Sequence, residues 1–110
     1  MSIDLKQNNM KVDIILSDGF VMTELSGVVD VLRLANRVVD KKMFTFRYVS
    51  PEAGVVKSSA DTWLNASALS NSPDADIAVF LGNSDLNFTS REIEKAVHKY
   101  QYTNAKVVLL

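Results

Sequence analysis

Few residues in this chain carry side chains suited to chemistry. Glu24 lies in "TELSGVVDVLRLANR", residues 23 to 37, and a helical winding sets this carboxylate on a side that otherwise carries only Val28, Val31 and Ala35. An acid in the first turn of a helix is favoured by the backbone dipole, by roughly 0.3–1 kcal/mol, and needs no other purpose. The same acid also projects toward the carboxyl edge of a sheet, where it could prepare a reactive or ligand-binding group. Both readings stand. Gly82 and Asn83 directly follow the apolar run "IAVFL". A glycine there lets backbone N–H groups face an incoming anion or carbonyl oxygen, as an oxyanion hole requires, or it simply makes a turn.

The other candidates are weaker. His98 is the only histidine, so imidazole acid–base work would fall to it, but helical spacing puts it opposite Ile93, Val97 and Tyr100 on a solvated side. Asp61, Asp74 and Asp76 match no cation-loop spacing and read as solvated loop acids. Trp63 could be a ligand platform or a packing residue of a short β segment. The lack of cysteine removes disulfides, thiolate zinc sites and a Cys nucleophile together. No metal, no cofactor and no catalytic residue is assigned.

The elements that must position these groups alternate. Residues 1–11 are polar and unpatterned, a flexible leader. "VDIIL", 12 to 16, suits a strand buried on both faces, followed by the turn "SDGF" with Gly19 as its permissive residue. A helix then opens with Thr23 as its N-cap; Leu25, Val28, Val29, Leu32, Ala35 and Val39 at helical spacing make it buried save for one solvated stripe. "FTFRYVS", 44 to 50, is a second strand, giving a βαβ unit, and short β pieces around 55–58 and 62–65 suggest a hairpin. "DIAVFLG", 76 to 82, is a further buried strand. Thr89 with Glu92 forms a capping box, and Phe88 with Ile93 a hydrophobic staple, for a helix whose apolar face is Ile93, Ala96, Val97 and Tyr100. "AKVVLL", 105 to 110, begins another strand. The sum is a three-layer α/β domain with a mostly parallel sheet, whose ligands bind beyond the carboxyl ends of the strands at a topological switch point. That rule selects "SDGF", "GNSDL" and whatever follows Leu110.

Composition bounds the function. The chain has 110 residues, 47% of them hydrophobic, which is enough for one small core. Twelve Lys and Arg against thirteen Asp and Glu leave a net charge of -1 and no basic tract for nucleic acid. No apolar run reaches the roughly 20 residues of a membrane span, and no secretion signal is present, so a cytoplasmic protein without membrane contact is expected.

"VDIILSDGFVMTELSGVVDVLRLAN", "FTFRYVSPEAGVVKSSADTWL" and "DIAVFLGN", in this order and spacing, resemble a known family. It is the class I glutamine amidotransferase-like, PfpI-type domain (flavodoxin-like) at the N-terminus of AraC-family transcriptional regulators of the GlxA type, and the likeness covers residues 12 to 110. In that superfamily an acid matching Glu24 approaches a nucleophile-elbow cysteine, and the backbone after the glycine matching Gly82 helps form an oxyanion hole. Many members have a second glycine where this chain has Asn83. The resemblance implies that residues 12–110 are the first part of a sensor domain, truncated before the nucleophile elbow. DNA would be contacted only through a C-terminal domain absent from this chain. It further implies a small-molecule metabolite effector bound near Asp18, Gly19, Phe20, Glu24, Gly82 and Asn83, no enzymatic activity, and a homodimer. The strand at 106–110, as an exposed edge, also invites self-association. The competing expectation is a fragment of a PfpI-type hydrolase or amidase whose cysteine lies beyond Leu110.

Overall fold

A computed structural model describes residues 9–39 and 43–110. The elements run β1 (Met10–Ile15), α1 (Met22–Val38), β2 (Phe44–Ser50), β3 (Gly54–Lys57), β4 (Trp63–Ala68), β5 (Ile77–Phe80), α2 (Arg91–Tyr102) and β6 (Lys106–Leu109). They form a six-stranded sheet of order β3-β4-β2-β1-β5-β6. All pairs are parallel except the β3–β4 hairpin, which closes one edge. The expected three-layer α/β architecture is the one observed. No helix among the described residues is long and apolar enough to cross a membrane.

The central strand explains the layering. Alternate side chains of β1 point to opposite faces. Val12, Ile14 and Leu16 join a core with Phe20, Leu25, Val56 and Val79, against which α1 packs. On the other face Ile15 joins Val49, Ala78, Phe80, Ala96 and Tyr100 under α2. A strand apolar on both faces is what such a sandwich requires.

Asp13, on the α2 face, interrupts that pattern. It is 2% exposed, yet fully engaged. Arg47, its direct neighbour in the β1–β2 register, donates Nε to Oδ1 at 2.7 Å and Nη2 to Oδ2 at 3.3 Å. The Tyr100 hydroxyl donates to Oδ2 at 2.6 Å from α2. The Asp13 hydrogen bond raises the Arg47 pKa above its ordinary value. Outside this triad, Lys11 pairs with Asp74 at 3.1 Å and lowers its pKa.

Several sequence expectations need correcting at their boundaries. β1 starts at Met10, because backbone pairing asks nothing of side-chain polarity: Met10 donates to the Met43 carbonyl at 2.8 Å and Lys11 N–H to Asp76 Oδ2 at 2.8 Å. Residues 1–8 of the expected leader lie outside the described residues. Thr23 does not cap α1. The helix begins at Met22 with Val21 in the cap position and no side-chain cap, its entry fixed by the Val21 N–H on the Gly82 carbonyl at 3.1 Å. Nor is α1 buried all round. Leu25 is its only buried residue, while Val31, Leu34 and Val38 are 65%, 54% and 84% exposed, because the sheet covers one side only. Ser90, not Thr89, caps α2, accepting from Ile93 N–H at 3.1 Å, and this shift leaves Phe88 out of staple position.

Replacing Tyr100 with Phe removes a hydrogen bond to a buried carboxylate, and urea unfolding is expected to show a loss of about 1–3 kcal/mol at neutral pH. Burial first, and Asp13 second, push the Tyr100 pKa up in the folded chain. The unfolded chain releases that proton near pH 10 while the folded chain holds it, so this contribution is present below about pH 10 and is lost as pH rises beyond it. Stability curves of wild type and Tyr100→Phe should therefore converge above about pH 10; parallel curves would sink the assignment.

Candidate functional site

Beyond the carboxyl ends of β1 and β5 the chain braces itself across the sheet. Gly19, at φ +89°, turns the β1 exit back so that its N–H reaches the Lys57 carbonyl at 2.7 Å and its carbonyl accepts Ser84 N–H at 2.9 Å. Phe20 then forms bridges to Ser58 on one side and Asn83 on the other, its ring fully buried. A side chain at Gly19 would lie 2.9 Å from Asn83 Oδ1, so both the backbone angle and the space call for glycine. Asn83 holds the turn: Nδ2 donates to the Asp18 carbonyl at 2.7 Å and Oδ1 accepts Asp85 N–H at 2.9 Å. Asp18 Oδ1 accepts Lys57 N–H at 3.0 Å.

Glu24 enters this brace from α1. Its Oε1 accepts Gly82 N–H at 2.7 Å across 58 residues of sequence, leaving Oε2 without a partner among the described residues. Added at Gly82, a Cβ would sit 3.0 Å from Glu24 Oε1 and 3.5 Å from the Leu110 carbonyl. The glycine allows this close approach. The acid thus serves a third purpose beside the two expected from sequence: it ties the start of α1 to the end of β5, and the Gly82 N–H meets this carboxylate instead of facing outward.

All six expected site residues therefore come together, but mostly satisfy one another. Only Asp18 lines the adjoining cleft, a space of about 170 Å³ among Ser17, Asp18, Ser50, Pro51, Glu52, Val55, Val56, Phe88, Ser90 and Glu92. The ends of β1 and β2, the hairpin and the start of α2 supply its walls. Ser50 is 2% exposed, its Oγ accepting Glu52 N–H at 3.3 Å, and Ser90 Oγ is occupied by its capping bond. Three carboxylates and three hydroxyls line the cleft with no cationic side chain among them. Such a lining suits a ligand that donates hydrogen bonds and carries positive charge. Sequence reasoning passed over Ser50, Glu52, Phe88 and Ser90 as binding groups. The carboxyl-edge rule, applied to β2 as well as to β1 and β5, would have selected "SPE".

The remaining candidates fall elsewhere. His98 is exposed on α2. Asp61 faces Lys57 at 3.5 Å and Asp74 faces Lys11, while Asp76 accepts Lys11 N–H. Trp63 is 65% exposed on the hairpin, with Lys57 Nζ 5.7 Å from its ring centroid. Among the described residues no group of three or more acids or histidines is arranged to hold a metal ion.

No protein-family model matches the chain, and no curated protein does. Solved structures do. An AraC family transcriptional regulator from Pseudomonas putida superposes with a TM-score of 0.79 at 24% identity, over 91% of this chain and 63% of that one. A DJ-1 superfamily protein from Agrobacterium tumefaciens gives 0.68 at 18% identity, over 91% and 52%. DJ-1beta from Drosophila melanogaster gives 0.69 at 18%, over 92% and 54%. The chain shares their α/β fold and spans between about half and two-thirds of their lengths.

Glu24→Ala should cost about 1.5–3 kcal/mol in urea unfolding, as expected for a hydrogen bond to a charged group. Glu24→Gln keeps an acceptor and should cost less. Hydrogen exchange at the Gly82 amide should quicken in Glu24→Ala; unchanged protection would show that the brace does not hold this end of the sheet.

Proposed function

We propose that this chain is the N-terminal ligand-sensing and dimerisation part of an AraC-family transcriptional regulator, working in the cytoplasm and reaching DNA through a separate C-terminal domain. The observation that carries the reading is the cleft at the carboxyl edge, walled by Asp18, Glu52 and Glu92 with Ser17, Ser50 and Ser90. It lies where open α/β sheets bind small molecules. The fold likeness to the Pseudomonas putida regulator supports it. The effector is a small amine-bearing metabolite, its ammonium group set against the carboxylates and its remainder against Pro51, Val55 and Phe88.

Signalling then needs differential affinity. The effector binds one arrangement of a homodimer better than another and shifts the population toward it. The cleft is suited to this because it is built from four separate pieces of chain, so a ligand there reports on their relative placement. A second reading, part of a PfpI-type hydrolase or amidase, draws on the likeness to DJ-1 superfamily structures.

A thermal-shift screen of small amines, amino acids and simple carboxylates tests the proposal. A binding amine at a hundred times its Kd should stabilise the chain by about 2.7 kcal/mol. Glu52→Gln should weaken that binding about tenfold, roughly 1.4 kcal/mol, with unfolding in the absence of ligand unchanged. Stabilisation by carboxylates alone, or binding indifferent to both Glu52→Gln and Asp18→Asn, overturns the assignment.

A further inference from the structure

The edge of β3 that turns away from β4 is used over only half its length. Just past the strand, Ser58 N–H bonds the Thr62 carbonyl at 2.8 Å, toward the partner strand. Backbone groups alternate sides along an antiparallel pair, so those of Lys57, opposite Trp63, point outward. They are occupied there: Lys57 N–H donates to Asp18 Oδ1 at 3.0 Å, and the Lys57 carbonyl accepts Gly19 N–H at 2.7 Å. Val55, two residues back and opposite Asn65, points its N–H and carbonyl to the same side. Neither group has a partner among the described residues.

Val55 also lines the cleft that Asp18, Glu52 and Glu92 supply with carboxylates. Lys57 takes only Oδ1 of Asp18, and Oδ2 has no partner among the described residues. An open strand edge left to water is ordinary. One that opens into an acidic cleft, beside a half-used carboxylate, is placed for a ligand carrying both an ammonium and an amide. Lys57 and Val55 stand two residues of extended strand apart, about 7 Å. A chain that starts with its ammonium at Asp18 and runs against β3 therefore brings its second residue opposite Val55. That residue sets its N–H on the Val55 carbonyl and its carbonyl on the Val55 N–H, the doubly bonded pair of an antiparallel ladder. The cleft holds about 170 Å³, which suits two small residues and is too little for a further strand of about five or six with its side chains.

We infer that the cleft takes a small dipeptide-like amide, added as a two-residue strand to the free edge of β3. The inference rests on the amine-binding cleft put forward above and names the class of amine: one whose ammonium is followed, at peptide spacing, by an amide that pairs with Val55. The acidic lining disfavours a carboxylate at the far end of the ligand.

Calorimetric titration of the purified chain with alanyl-alaninamide, and with its analogue methylated at the peptide nitrogen, is the test. Both compounds carry the same ammonium, and only the first has an N–H for the Val55 carbonyl. The first should bind about tenfold more tightly or better, the loss of one hydrogen bond separating the two. Glu52→Gln should weaken both by a similar factor. Hydrogen exchange read residue by residue should find the Val55 amide open in the free chain and slowed about tenfold or more with alanyl-alaninamide near saturation. Equal affinity for the two compounds, or a Val55 amide that exchanges as fast with ligand bound, overturns strand addition and leaves the amine site standing. A Val55 amide already protected in the free chain also overturns it, since that edge is then taken. If neither compound binds and simple amines do not either, the amine-binding cleft itself falls.

Discussion

A carboxylate placed in the middle of the central strand constrains everything around it. Asp13 is buried between layers, and an unpaired charge there would cost several kcal/mol. Its solution draws on two other elements. Arg47 must sit beside it, which favours the observed register of β2 against β1, and Tyr100 must come down from above, which fixes the roll of α2. Aliphatic contacts would tolerate small slips of either element; a two-sided hydrogen-bonded pair does not. The edge-on contact of the Tyr100 and Phe80 rings, 5.9 Å between centroids, adds a second reference point for α2 on the sheet.

At the other end of the same strand the constraint is made of backbone. Leaving β1, the chain must turn at Gly19, bridge through Phe20 and enter α1, and within that short path it pairs with both the hairpin and the β5 exit. Glu24 adds the tie to Gly82. A loop so occupied is a rigid floor. The adjoining cleft therefore has one fixed wall, from residues 17 and 18, and others from segments with fewer ties: Glu52 follows a proline, and Phe88 belongs to a stretch of largely exposed residues.

Strands β1, β5 and β6 were legible because an apolar run of four to six residues rich in Val and Ile has few alternatives, while β2 followed from its alternating aromatic residues and the hairpin from two short β-prone pieces. The apolar face of α2 was equally plain from its spacing. What escaped depended on distance. Asp13 reads as an interruption of "VDIIL" because its partners are 34 and 87 residues away. The exposure of Val31, Leu34 and Val38 is invisible in a helix whose apolar stripe is simply wide, since coverage is decided by which layers lie alongside. Thr89 and Ser90 are adjacent residues with the same capping chemistry, and local sequence cannot choose between them. The clustering of Asp18, Gly19, Phe20, Glu24, Gly82 and Asn83 followed from the carboxyl-edge rule, whereas the cleft, drawn from four segments, did not.

The sheet order also has a consequence in time. β1 is the first strand of the sheet yet lies at its centre, and its partner β5 pairs Val12 with Ile77, 65 positions later. At roughly 5–20 residues per second of synthesis, the most apolar strand waits several seconds for one of its neighbours. A bare run of five branched and long aliphatic residues would be an aggregation hazard over such a wait. Asp13 divides that run with a charge, as gatekeeper residues do, and is neutralised only once Arg47 arrives beside it. The residue that later orders the folded sheet also breaks the apolarity of the strand before its partners exist.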